Sequence, residues 1–572
     1  MKQIEIRGEF SPARERPAAL DLAARASLCL DHMLENTDPR FNYVPYVGVT
    51  LGEERPHFVH HRLDMTEVLP YSIYGMVIAR DITGSTKGME IQAAQRKLYL
   101  SSFNEMDGMI HAPRTPWADT YPLALWEQTR ALYALVYWFL DDEDERLLQR
   151  IHALVDGLFA ISRQEGKERV FPIELIRGPW TGGEYGVGSL IDPLVKVYEL
   201  TGSPRALQLA EGLTRFMLNP KNGYFPESGK WYSYLRTVVS VINGFSRLAA
   251  LTSDPELVRR ATAIHDQAVS YYTAFGSGPC MEPACTNMEL TQSALSLIRL
   301  GHDEHWDMID SWARNQTAEA QFLDTSEWVK QKAAKGRILD KEQWMYESAS
   351  PQDVILPFDD YRDVVRRSVG GFLWTDAHEH LFVPGSLMLC CSAHAMRTFH
   401  LVWQNAITED MGGLKINLHQ TMENGLGELV SYEPWAGRTT VVPRKDTRLS
   451  IRIPGYARSR DVKGSAAGAS RPLTVSGGYA DFGRVKAGEE CTFEYDLAPR
   501  TTEEKQLVFQ NRECDKQVGA TPYQARWRGN TVVELKPESK EEKRMYKRKQ
   551  LDSDSVRLAK VRHFLTRKDI RW

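Results

Sequence analysis

No stretch of this 572-residue chain approaches the run of about 18 apolar residues that a membrane-spanning helix needs. The opening residues, MKQIEIRGEFSPARERPAAL, lack the apolar core of a secretory signal. An excess of one charge is also missing. Lys and Arg number 71 against 75 Asp and Glu, leaving a net charge of −4. That balance argues against a protein that binds nucleic acid or a membrane surface by electrostatics. Cysteine is scarce, and seven residues in so long a chain do not make a disulfide framework. A cytoplasmic location is the expectation. No phosphate-cradling glycine loop and no Ser-His-Asp signature stands out.

What is present is globular: 42% hydrophobic, 26% charged and 10% aromatic residues. The length calls for one large domain with smaller ones attached. Through the first 400 or so positions one pattern recurs: an amphipathic helix, a short polar turn and a second amphipathic helix. ALYALVYWFLDDEDERLLQRIHALVDGL is one instance. In it Leu132, Leu135, Val136 and Phe139 share a face, as do Ile151, Leu154, Val155 and Leu158. The turns carry helix-start chemistry, with Ser203 before Pro204 and Asp254 before Pro255. An open solenoid is the plain reading of such a repeat. Long loops loaded with Trp117, Asp119, Tyr121, Trp180, Glu184, Tyr185, Trp231, Tyr232 and Tyr234 favour a closed α/α toroid with those loops at its mouth.

After about residue 405 the period changes to two. Leu414, Ile416 and Leu418 alternate, then Leu449, Ile451 and Ile453, then Cys491, Phe493 and Tyr495. The expected fold is therefore mainly α: an (α/α)6 toroid over 1–405, then an antiparallel β-sandwich over 406–510. Residues 511–572 form a C-terminal extension whose strand, GNTVVEL, packs back on the sandwich or barrel. The mixed-charge run KPESKEEKRMYKRKQ reads as a solvated surface segment.

The cysteines carry the sharpest chemical signal. Cys390 and Cys391 are adjacent and open one helix; Cys285 opens another. Helix starts favour thiolates. Adjacent thiolates pair poorly with each other but can share a soft metal. Cys285, Cys390 and Cys391 with Glu282 as fourth ligand would make a zinc site. The bland alternative is three buried, inert small side chains. Softer candidates are His60, His61, Asp64 and Glu67 in FVHHRLDMTEVLP, a segment that could face substrate. Glu184, in the glycine-rich TGGEYGVG, could be an acid or a sugar ligand. His394 and His400 could support the cysteines or fill core. Trp328, Trp344 and Tyr346 could stack on sugar rings.

The segments EPACTNMELTQSALSL, CCSAHAMRTFHLVW, GLKINLHQ and RLSIRIPGYA, in that order, resemble family 127 of the glycoside hydrolases, the β-L-arabinofuranosidase-like proteins. The likeness runs along nearly the whole chain. It implies an (α/α)6 barrel and Zn2+ on Glu282, Cys285, Cys390 and Cys391. It also implies Cys390 as nucleophile of an exo-acting, retaining glycosidase, with a carbohydrate as the partner. Here Glu282 stands three residues before Cys285, where the family has two. AFGSGPCMEPAC carries no evident acid/base glutamate, which leaves Glu184 for that role. Tyr232 and Tyr234 in KWYSYLRT replace expected histidines, and together with His60, His61, Asp64, Trp180 and Tyr346 they are the candidate sugar contacts. A lyase or epimerase with a structural zinc, and a non-catalytic sugar-binding protein, are the alternatives. Self-association as a homodimer is left open.

Overall fold

The computed structural model describes residues 4–572 except 53–54, 121–124, 173–174, 176–184, 228–230, 232–234, 280–281, 327, 330–357, 375–386, 459–460, 510–516, 538–547, 549–550 and 569. Its longer helices are α1 (Leu22–Glu35), α2 (Leu69–Thr83), α3 (Met89–Leu100), α4 (Leu125–Asp142), α5 (Glu145–Ile161) and α6 (Ile191–Thr201). They continue as α7 (Pro204–Leu218), α8 (Leu235–Thr252), α9 (Pro255–Val269), α10 (Pro283–Ile298), α11 (Trp306–Trp312) and α12 (Leu389–Ala406). Odd-numbered helices lie outside and even-numbered ones inside. Each inner helix packs on the next, and α12 returns to pack on α2, so the ring closes. An open solenoid would leave its first and last repeats apart. None of the described helices is long and apolar enough to cross a membrane.

Burial separates the two layers. In α5 only one stripe is buried, led by Leu147, Ile151, Leu154, Val155 and Leu158. In α2 every residue but Thr83 is buried, and in α10 every residue but Ile298. Three of the hairpin turns share a local device. A residue with positive φ (Glu143, Gly202 or Ser253) ends the inner helix. The next residue (Asp144, Ser203 or Asp254) caps the outer one by accepting from the backbone N–H of Arg146, Ala206 or Leu257. Pro204 and Pro255 then fill the first helical position, as the sequence predicts.

The chain leaves α12 directly into strand Ile407–Asp410. Two sheets follow, one of five strands and one of six. Leu414, Ile416, Leu449, Ile451, Cys491 and Phe493 all point into the core between them, matching the period-two reading. The strands pair antiparallel except that Gly413–Ile416 runs parallel to Thr447–Arg452. α11 and the π-helical turn after it bolt the sheets to the toroid. Arg452 Nη1 donates to Asp307 at 3.0 Å, Gln420 Nε2 to Asp310 at 2.7 Å, and Arg314 to the His419 carbonyl. A further three-stranded sheet (Arg500–Phe509, Gln517–Arg528, Thr531–Lys536) covers Phe275 with Trp527 and Val532. The charged run after it lies mostly outside the described residues; its Arg548 is buried and ion-paired with Glu319.

The end of the chain returns to the toroid. Leu558–Val561 pairs with Arg14–Pro17, and Phe564–Thr566 with Gly8–Phe10. Trp572 then enters the ring interior and stacks on Tyr137 at 4.8 Å between centroids.

Candidate metal centre and active site

α10 and α12 are ring neighbours, and each presents cysteine in its first turn. Cys285 Sγ lies 3.9 Å from Cys391 Sγ, which lies 3.9 Å from Cys390 Sγ. All three sulfurs fall within 4.8 Å of one another. A tetrahedral ion with zinc–sulfur bonds of about 2.3 Å spaces its sulfurs about 3.8 Å apart, so the trio fits that ion. The cysteines are free, since a disulfide would need about 2.05 Å. Cys285 and Cys391 are buried and Cys390 is partly open. Thiol donors from Cys285 and then Cys391 bring the Cys390 thiol down to about 6 against the cost of burial. Burial and the neighbouring sulfurs push Cys391 far up.

Polar groups from α8, α10, α12 and the turn ahead of α2 surround these sulfurs. His394 Nδ1 sits 3.1 Å from Cys285 Sγ, one turn below the cysteine pair on α12. Arg236, at the start of α8, reaches Glu282 Oε2 at 3.4 Å and Glu289 Oε1 at 3.2 Å. Asn243 Nδ2 holds the other Glu289 oxygen at 2.8 Å. Glu282 caps α10 with a φ of +64°, a strained value for a residue with a side chain. Its carbonyl accepts from the Cys285 and Thr286 N–H groups. Glu67 belongs to a π-helical turn ahead of α2, a distortion frequent at functional sites. Burial raises its carboxyl, while the Trp126 indole at 3.0 Å and the charges of Arg130 and Arg236 pull it back.

The other candidates fall into two groups. His60 Nδ1 meets Asp64 Oδ2 at 2.7 Å and His60 Nε2 meets Asp38 Oδ2 at 3.1 Å. The ring stacks on Trp117 at 3.8 Å, and all of these side chains, with His61, are buried in the wall. His400 binds Asp81 at 2.8 Å, far along α12 from the cysteines. Trp231 and Tyr185 are core residues, and the Trp328 indole donates to the Leu51 carbonyl at 2.9 Å. Tyr121, Trp180, Glu184, Tyr232, Tyr234, Trp344 and Tyr346 lie outside the described residues. Sequence reasoning missed Arg236 and Glu289. Glu289 carried a signal: it stands four residues after Cys285 and seven after Glu282, on one helical face.

No family model matches the chain, and no curated protein does. Solved structures do. A β-L-arabinofuranosidase of glycoside hydrolase family 127 from Geobacillus stearothermophilus T6 superposes with a TM-score of 0.55 at 14% identity, covering 91% of this chain and 86% of that one. A second family 127 β-arabinofuranosidase gives 0.56 at 13% identity, covering 92% and 84%. A structure described as a glycoside hydrolase gives 0.54 at 15%, covering 81% and 76%. The chain shares the family 127 fold. At these identities the likeness is one of architecture: the toroid, the sandwich behind it and their order along the chain.

Proposed function

We propose that this protein is a zinc-dependent glycosidase that releases a terminal sugar with retention, using Cys390 as nucleophile. The observation that carries the reading is the cysteine trio, spaced as one tetrahedral ion requires, at the helix starts of a toroid shared with family 127. Cys285, Cys390 and Cys391 would hold the ion; Glu282, the expected fourth ligand, falls outside that cluster with its carboxylate 3.4 Å from Arg236 and would have to turn toward the sulfurs to complete the shell. Bound zinc supplies charge that keeps the sulfurs as thiolates at neutral pH.

The chain's own groups then divide the work. Cys390, the partly open sulfur, attacks the anomeric carbon as the bond to the leaving oxygen breaks. A carboxylic acid protonates that oxygen. Water next attacks the thioglycoside, loses its proton to the same carboxylate, and frees the sugar and the Cys390 thiolate. Glu67 is the described acid suited to this, because burial favours its protonated form. Glu184 is the second candidate for the same proton. Trp180, Tyr232, Tyr234 and Tyr346 are proposed sugar contacts, with His60, His61 and Asp64 shaping the wall behind them. The names of the family 127 structures suggest a β-L-arabinofuranoside as the first substrate to try.

Metal content and turnover of aryl furanosides, measured on wild type, Cys285→Ser and Cys390→Ala, test the proposal. About one zinc per wild-type chain, lost in Cys285→Ser, with no turnover in Cys390→Ala, supports it. Turnover that survives Cys390→Ala in a folded protein overturns the nucleophile and points to the lyase or epimerase reading.

A further inference from the structure

A second group of metal-type side chains lies on the outer wall and shares no residue with the cysteine centre. His265 and Asp266 are on α9; His305 ends the short 3-10 turn Asp303–His305 before α11. One ligand atom from each of the three falls within 4.8 Å of the others. His302 and Glu304 form an overlapping trio with His305.

Three observations indicate more than packing. First, His265 is wholly buried, yet its Nε2 has no hydrogen-bond partner. An orphaned buried polar atom is costly and calls for an explanation. Second, the opposite nitrogen is committed. His265 Nδ1 meets Ser293 Oγ at 2.8 Å, and that hydroxyl is in turn 2.7 Å from Ser246 Oγ. An imidazole that spends one nitrogen on an inner hydrogen bond has its other lone pair set for an ion, which is how metal-binding histidines are usually oriented. Third, His305 repeats the pattern. It is more than nine-tenths buried, its Nε2 makes no hydrogen bond, and its ring meets that of His265 at 4.7 Å between centroids. Asp266 Oδ1 stands 3.8 Å from that nitrogen. That is too long for a hydrogen bond and about half an ångström wider than the roughly 3.3 Å between nitrogen and oxygen ligands on one tetrahedral ion, a gap that a small turn of the exposed Asp266 side chain closes.

We propose that His265 Nε2, His305 Nε2 and the Asp266 carboxylate form a second divalent-metal site, selective for borderline ions such as Zn2+, Co2+ or Ni2+, that clamps α9 to the turn before α11. Two imidazoles and one carboxylate suit those ions better than Mg2+ or Ca2+, which prefer all-oxygen shells. Asp266 is more than half exposed, so water completes the shell and the ion exchanges with solvent. The site lies outside the sugar-binding mouth and takes no part in turnover. Its effect is on cohesion of the outer layer, by binding the folded state alone.

Co2+ separates the two centres, because only thiolate ligation gives an intense sulfur-to-cobalt charge-transfer band. Metal-free protein is titrated with Co2+ and read by absorbance and by bound metal after desalting. Wild type should take up two equivalents, one with the charge-transfer band and one without. Asp266→Asn and His305→Gln should each lose the second equivalent and keep the first. Their melting temperature should stop responding to micromolar Zn2+ beyond one equivalent. Asp266 is exposed, so its substitution leaves the fold intact. A single wild-type equivalent that carries the thiolate band, or a band-free equivalent that persists in both variants, overturns the site. Absence of the thiolate band alone would count against the cysteine centre and leave this proposal standing on the second equivalent.

Discussion

At the end where the inner helices begin, three thiols and the carboxyls of Glu67, Glu282 and Glu289 face two guanidiniums, Arg130 and Arg236. Two turns further along the same helices, the proportions reverse. There the Asp192 carboxylate accepts from Tyr133 at 2.6 Å, from Gln292 at 3.0 Å and from the Trp572 indole at 3.0 Å. Arg247 and Arg397 stand within 4 Å of it as well. Both levels are buried and polar. One has an anion surrounded by donors and capped by Trp572. The other has several groups able to become anions and too few cations to satisfy them. A buried set with more potential anions than guanidiniums is eased by an added cation, whereas the Asp192 carboxylate already has its donors, although Arg247 Nε and Arg397 Nε and Nη1 beside it make no hydrogen bond.

Substitutions can break this contrast. Cys390→Ala should abolish turnover, by on the order of 10³-fold or more, with little change in melting temperature; steady-state kinetics beside a thermal melt read both. Trp572→Ala should do the reverse. Losing a buried indole costs about 3–5 kcal/mol in urea unfolding, while zinc per chain stays unchanged. Glu67→Gln should lower kcat by roughly 10²–10⁴-fold if it gives the proton, with metal content retained. A result equal to wild type moves the role to Glu184. The smallest effect concerns His419, in the sandwich. It is held neutral between Thr439 Oγ1 at 2.8 Å and the Arg452 carbonyl at 2.9 Å. Burial, then the Arg452 charge, pushes it down from 6.5 to about 4. Unfolded chains therefore bind more protons between those values. The stability His419 contributes is whole above pH 6.5 and is lost as pH falls toward 4. His419→Gln should flatten the acid side of a stability–pH curve by about 1 kcal/mol or more per unit, measured by urea unfolding.

Local features were legible in the chain. The caps at Ser203 and Asp254 involve residues three apart, and the outer helices announce themselves by one apolar stripe. The cysteine pair is visible because adjacency itself is unusual. α2 was harder: it is buried all round, so its Tyr71, Ser72, Tyr74, Arg80 and Asp81 interrupt any stripe. Partners distant in sequence were not legible. Arg236 is an ordinary arginine until the ring sets α8 beside α10. Asp38 joins His60 across 22 positions, where the Asp64 contact four residues away could be read as a helical neighbour. Alternation gave the strand at Leu414–Ile416 but not its parallel partner, since period two says which face is buried and nothing about what lies alongside.

Ring closure has a kinetic consequence. α12 is the last inner helix to be made, and it must dock between α10 and α2, the latter more than 300 residues earlier in the chain. Until it does, five inner helices have an exposed apolar seam, and contacts of such long range form slowly. The three sulfurs come from the two helices that close this seam. A metal held by all three sulfurs would need α12 seated against α10, and would favour the chain in which that late contact has formed.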